Sequence, residues 1–389
     1  MHSPPKLLLP IIVFSQFAGT SLWFAGNAII DDIQKTTSSG AANITSVVQF
    51  GFIAGTLIFA ILTIADRFSS SKVFFFSSLI AATANILLIW LATDVAWLYS
   101  LRFITGFFLA GIYPVGMKLA AEHFSNKLGN ALGFLVGALV LGTAFPHVLR
   151  SQLEGLQWQN VLIFTSALAF IGGVLILVVV PNSYSRSTAK FKLNTAFTVF
   201  HSSNFRSAAF GYFGHMWELY AFWAFLPFIF SLYNQTNQTD FNVSLWSFII
   251  IACGALGCIL GGLVSKKVGS KKVAFYSLLI SGICCLFSPF IFNISTNLFL
   301  FVLIMWGLTV SADSPQFSTL VARSAPAANK GTALTIMTSI GFAITIVSIQ
   351  LLKSFSDSLK GNLFLLLAIG PLLGLLFLKN YLPAKDEAR

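Results

Sequence analysis

Residues 65 to 72 read Ala65-Asp66-Arg67-Phe68-Ser69-Ser70-Ser71-Lys72, a short basic loop that closes one apolar run and opens the next. About 200 residues later the pattern returns as Gly262-Leu263-Val264-Ser265-Lys266-Lys267-Val268-Gly269-Ser270-Lys271-Lys272. Gly106 and Gly307 keep this spacing, as do Pro114 and Pro315, each pair 201 residues apart. Features that recur at one distance and in one order predict two copies of a unit in the same orientation, a parallel repeat.

The apolar runs around these loops set the class. Of 389 residues, 56% are hydrophobic, 9% are charged and 41 are Phe, and the mean hydropathy is +0.84. A soluble domain carries about 25% charged residues, so a water-soluble globule is excluded. A hydrocarbon layer of about 30 Å takes about 20 apolar residues per helical crossing. Such runs lie near residues 7–30, 45–65, 73–92, 96–121, 129–149, 159–180, 206–231, 243–264, 272–293, 296–320, 331–352 and 361–381. They predict an all-α membrane protein with twelve transmembrane helices. The longest connection, 181–205, carries Arg186, Lys190 and Lys192 and no acid. It divides a six-helix bundle at 1–180 from a second, pseudo-symmetric one at 206–389.

Net charge is +11, from 23 Lys and Arg against 12 Asp and Glu. Position gives this excess its meaning. With an even number of spans, eighteen basic residues fall on the side shared by the termini, while the opposite loops hold Lys35, Arg150, Lys353 and Lys360. The positive-inside rule therefore places both termini and the basic linker in the cytoplasm. The charge is a topology signal and predicts no nucleic-acid partner. The first run is too long for a signal-peptide core and is expected to remain in the mature chain. Cys253, Cys258, Cys284 and Cys285 lie inside predicted spans without metal-site spacing and read as small packing residues. No metal or other cofactor is expected.

Together with the paired loops, twelve spans, the basic central connection and Arg102-Phe103-Ile104-Thr105-Gly106 in the fourth span, the chain resembles the major facilitator superfamily over essentially its whole length. The family signature after span two is G-x-L-a-D-r-x-G-r-k. The first copy keeps Asp66 and Arg67 and has Leu62 and Ser69 at the usual glycines, while the second keeps Gly262, Leu263 and Gly269 with Lys266 at the acid. The resemblance implies two bundles rocking about a midplane cavity lined by spans one, four, seven and ten. It implies gating by Asp66 and Arg67 at the cytoplasmic end of span two. No family branch is assigned, because span five lacks a Gly-Pro pair and span eleven carries only Gly331 and Gly341.

Three charges sit deep in predicted spans: Arg102 in the fourth, Glu218 in the seventh and Asp313 in the tenth. A charge at mid-membrane costs about 2.5–3.5 kcal/mol or more on insertion scales, so it faces a wet cavity, a partner or a ligand. Arg102 can grip a carboxylate bidentately, or it can pair with Glu218 or Asp313 to keep the halves in register. Glu218 lies in Gly211-Tyr212-Phe213-Gly214-His215-Met216-Trp217-Glu218-Leu219-Tyr220-Ala221-Phe222-Trp223. At 100° per residue His215, Glu218 and Phe222 share a face that can hold a solute, with Tyr220 and Trp223 off it. Glu218 is expected to carry a coupling proton, or else to be a satisfied buried acid. Asp313 precedes Pro315, which invites a kink beside a cavity, and is the second proton candidate, or a salt-bridge partner. Its counterpart in the first copy is Ile112-Tyr113-Pro114, so the acid is an addition to the repeat. Trp23, Arg102, Tyr113, His215, Trp217 and Tyr220 are the substrate-binding candidates. Gln16 and Asn27 either join the cavity wall or pack between helices, and His147 reads as interfacial.

No phosphate-binding loop G-x-x-x-x-G-K-S/T, H-E-x-x-H or Ser/His/Asp constellation is present, so neither ATP drive nor an enzyme is expected. The expected function is secondary transport of a small solute, first proton-coupled uptake of a small organic anion, alternatively proton-coupled export of an organic cation or amphiphile. A ligand sensor that moves little is a weaker alternative. The chain is expected to work as a monomer in the cell membrane, the inner membrane if the host is bacterial.

Overall fold

A computed structural model describes residues 7–36, 43–124, 128–152, 157–181, 199–325 and 330–382. The side chain of Asp66 and linker residues 182–198 lie outside the described set. The described chain is helical and contains no strand. Its internal contacts divide it into two compact units, Met1–Lys190 and Phe191–Arg389.

The first unit runs α1 (Leu8–Thr20), α2 (Ile30–Thr36), α3 (Ile44–Ile61), α4 (Ile64–Arg67), α5 (Ser70–Leu91), α6 (Val95–Leu109), α7 (Tyr113–His123), α8 (Leu128–Gln152) and α9 (Gln159–Val179). Asp94 caps α6 by accepting from the amide of Ala96 at 2.7 Å, and Pro114 sits in the first turn of α7, where its missing N–H costs nothing. Between α1 and α2 the chain leaves the α-helix at residues 21–26 and returns through a 3-10 turn, Asn27–Ile29.

The second unit runs α10 (Ser203–Asn237), α11 (Val243–Val268), α12 (Ser270–Phe287), α13 (Thr296–Ala312), α14 (Ser314–Ser324), α15 (Lys330–Leu359) and α16 (Ile369–Leu378). Ser202 and Asn242 cap α10 and α11 through their side-chain oxygens. Gly269, at φ 87°, separates α11 from α12, and Pro315 sits in the first turn of α14, with Asp313 at the N-cap position. Asn204 exchanges two hydrogen bonds with Leu382, at 2.8 and 3.0 Å, tying the last described residues to the start of α10.

Ten segments are long and apolar enough to cross a bilayer, with Leu8–Thr20 a shorter apolar helix. The segment Thr332–Leu378 spans 47 residues yet is no single rod. Gly341 packs on Tyr212 and Met216, and Gly370 packs on Gly214 and Trp217. A straight helix would set Gly341 and Gly370 about 43 Å apart at 1.5 Å per residue. Both meet the same turns of α10, so the chain reverses between them, at Lys360, whose φ of 45° ends α15.

The two units repeat one packing device. In the first, Gly51 and Gly55 of α3 and Gly106 of α6 let the two backbones touch. A Cβ at Gly51 would meet the Phe103 carbonyl, and one at Gly106 the Val48 carbonyl. In the second, Gly254 and Gly257 of α11 face Gly307 and Leu308 of α13, while Gly307 faces the Ile250 carbonyl. Except at Gly254, which meets Ser311 Oγ first, the nearest obstacle is backbone, which cannot step aside, so small residues are what let these helices associate in lipid. Gly106→Leu is expected to cost about 3 kcal/mol or more by overpacking. Gly133→Leu, where an added Cβ meets nothing within 4 Å, should be tolerated. Thermal unfolding of the detergent-solubilised variants checks the contrast, and equal Tm values would remove the device.

Candidate functional site

Arg102 is fully buried in the first unit. Its Nη2 donates to the carbonyl of Trp23 at 2.6 Å, and Nη1 donates to the carbonyl of Leu22 at 3.2 Å and to Asn85 Oδ1 at 3.3 Å. Nε makes no hydrogen bond to the described residues and lies over Gly26, where a Cβ would approach to 3.2 Å. Asn85, on α5, is itself fully satisfied. Its Nδ2 donates to Thr165 Oγ1 at 3.1 Å, Ser166 Oγ at 3.0 Å and the Leu162 carbonyl at 3.4 Å, all on α9. The guanidinium is thus held by neutral oxygens, with both terminal nitrogens spent on protein. The bidentate grip on a carboxylate expected from sequence is not open to those nitrogens in this arrangement. Asn85 was missed because a lone Asn in an apolar run carries no periodic or motif signal.

Glu218 is equally buried in the second unit. Its Oε1 accepts from Trp306 Nε1 at 2.6 Å and Cys285 Sγ at 3.2 Å, and its Oε2 accepts from Ser281 Oγ at 3.0 Å. Trp306 is fixed in turn by stacking on Phe222, with ring centroids 4.4 Å apart and planes at 22°. One turn before Glu218, His215 Nδ1 lies 2.9 Å from Asp313 Oδ1, with neither side chain exposed. The pair is close but not aligned as a linear hydrogen bond, and His215 Nε2 and Asp313 Oδ2 find no hydrogen-bonding partner among the described residues. The His215 ring lies between Tyr212 and Phe317, at 5.9 and 6.0 Å. The face shared by His215, Glu218 and Phe222 therefore packs into its own unit against α12, α13 and Asp313.

The other sequence candidates are placed separately. Trp217 donates its indole N–H to the Leu366 carbonyl at 2.9 Å. Tyr220 is buried edge-on to Trp223. Trp23 is buried with its ring 4.8 Å from Phe52, and Tyr113 begins α7, half-buried. Asn27 accepts from Thr45 Oγ1 at 2.7 Å, and His147 is buried. At the loop after α3, Arg67 is exposed. There Lys118 donates to the Ala65 carbonyl and pairs with Glu122 at 3.7 Å, and Ser70 Oγ lies 3.5 Å from Glu122 Oε1. Neither Lys118 nor Glu122 carries a sequence signal that would place it beside this loop. Cys258 and Cys285 donate to oxygen acceptors, so two of the expected packing cysteines also serve polar groups. Among the described residues no group of three or more His, Cys, Asp or Glu can hold a metal ion.

A family model described as the Major Facilitator Superfamily matches residues 8–349. That range contains Arg102, Glu218, His215 and Asp313 with all the side chains that hold them. No curated protein matches the sequence.

Proposed function

The chain belongs to the Major Facilitator Superfamily, and from that premise we propose that it is a proton-coupled secondary transporter taking up a small organic anion by alternating access. A multi-pass membrane transporter is the common character of the family; the coupling, solute and direction are our reading. We count twelve crossings: residues 8–36 as one interrupted span, and the ten long segments with the last divided in two by the reversal at Lys360. The basic loops support cytoplasmic termini.

One observation carries the proton reading. The second unit buries two carboxyls, Glu218 and Asp313, beside one imidazole, His215, and the donors to Glu218 are all neutral side chains. Two carboxylates with at most one countercharge are costly in a membrane core, and a bound proton removes that cost. Glu218 and Asp313 are therefore the proton-carrying groups, with His215 beside Asp313. The anion reading rests on Arg102, whose contacts are neutral oxygens and whose charge no side chain among the described residues of its unit is seen to pair with. Asp66 and Arg67 are proposed to gate, by analogy with the family signature.

A specific observation favours a second reading. Both terminal nitrogens of Arg102 are engaged, so the excess acid of the second unit can be the element that recognises a solute, which would then be an organic cation exported against protons. Thermal stabilisation of the purified protein by a library of carboxylates, amines and neutral solutes separates the two, because a ligand of the native state raises apparent stability. Carboxylate hits support anion uptake. Stabilisation by amines alone would replace it with cation export. Uptake of a hit into proteoliposomes under an imposed pH gradient then tests coupling, and flux indifferent to the gradient would remove the proton.

A further inference from the structure

We propose that Asn85 is a positioning residue of the transport cycle, the fixed post of a clasp through which Arg102 holds the first span broken at residues 21–26. The clasp rests on the transporter reading only for its role in the cycle; the geometry stands without it.

A continuous helix would give the carbonyls of Leu22 and Trp23 to the amides of Gly26 and Asn27. Both accept from Arg102 instead. Inside a bilayer a broken helix survives only where something else satisfies its freed backbone groups. Arg102 supplies two donors, and in return the carbonyl end of α1, the negative pole of that half-helix, serves as the countercharge the guanidinium otherwise lacks. Each feature explains the other: the break tolerates the charge, and the charge tolerates the break.

The clasp needs an anchor, because a long side chain held only by the segment it restrains would move with it. Asn85 provides it. Its Oδ1 takes Arg102 Nη1, and its Nδ2 is pinned to three oxygens of α9. Arg102 is thereby bound on one side to the break in the first span and on the other to the packed pair α5 and α9. Gly26 completes the fit, since a side chain there would press on Nε and on Ile44. Straightening of the first span would reclaim Leu22 and Trp23 and strip the guanidinium of its countercharge. The break is therefore a joint with two arrangements, and Asn85 sets the balance between them.

The test is amide hydrogen exchange on the full chain in lipid nanodiscs, followed across residues 20–30. Asn85→Leu should speed exchange there at least tenfold while residues 199–325 keep wild-type rates; unchanged exchange across 20–30 overturns the clasp. Should Asn85→Leu fail to fold, Asn85→Asp keeps the shape, puts a carboxylate against Arg102 and can accept from the Thr165 and Ser166 hydroxyls that Asn85 donates to, so the post stays tied to α9. That variant should slow exchange across 20–30. In proteoliposomes it should lower the maximal counterflow rate at least tenfold with KM within twofold. A raised KM at an unchanged maximal rate would make Asn85 a solute contact and overturn the positioning role. Wild-type exchange together with wild-type kinetics in Asn85→Asp would overturn it also. Exchange needs no transported solute, so a failed clasp and a failed transporter reading give different results: the first is lost on exchange alone, the second on absence of any flux.

Discussion

Glu218→Gln is expected to abolish solute accumulation driven by a pH gradient in proteoliposomes, while solute exchange remains measurable. The substitution is close to isosteric. Gln keeps a carbonyl oxygen able to accept from Trp306 Nε1, and Ser281 Oγ can turn to accept from the new amide. What disappears is the capacity to gain and lose a proton in a core whose other acid, Asp313, already has its own partner in His215. Structural loss is controlled by Glu218→Leu, which strands the donors of Trp306 and Cys285 and leaves Ser281 Oγ only its bond to the Leu278 carbonyl. At about 1–3 kcal/mol for each buried group left unpaired, that variant should lose at least about 2 kcal/mol of stability. The two variants therefore differ in kind. Acid-driven accumulation that survives in Glu218→Gln would leave Glu218 as a satisfied buried acid and nothing more.

Arg102→Leu should be the more damaging change to stability, because it removes at once the Arg102 donors to the carbonyls of Leu22 and Trp23 and to Asn85 Oδ1. Three buried acceptors that lose these donors cost about 3–9 kcal/mol together, a large share of the 5–15 kcal/mol that holds a typical domain folded. Arg102→Lys keeps the charge on a flexible stem but loses the planar fork that reaches two carbonyls and an amide together. It should fall between wild type and Arg102→Leu in Tm, and it should retain any stabilisation by carboxylates that depends on charge alone. A Tm for Arg102→Leu within 2 °C of wild type would mean that the first-span break is satisfied without Arg102.

The class, the repeat and the three deep charges were legible in one dimension. Run length against bilayer thickness is a local property, and so is the position of basic loops. A charge inside a 20-residue apolar run is conspicuous for what it costs, whatever surrounds it. The glycine spacing that marked the repeat was legible too, although its reason was not. Gly106 and Gly307 recur because each lies against a backbone carbonyl of a neighbouring helix, Val48 in one unit and Ile250 in the other.

The partners of the charges were beyond that reading. Arg102 reads from sequence as a grip for a carboxylate or a partner of Glu218 or Asp313, because charges are matched in sequence by sign. In the folded unit it donates to two carbonyls at the end of a broken helix and to an Asn, none of which carries a formal charge that sequence could mark. Glu218 reads from sequence as a proton carrier or a satisfied buried acid on a face that can hold a solute, because helical periodicity gives a face without saying what covers it. Packing covers it with Ser281, Cys285 and Trp306, small or aromatic residues that read as ordinary span filling until their donors converge on one carboxylate. Sequence alone determined that this chain lives in a bilayer as a repeated helical unit with three costly charges, since those facts follow from composition and spacing. Only the tertiary structure decided how the charges are tolerated, because a hydrogen bond between distant residues depends on which helix faces which, and that is set by packing rather than by period.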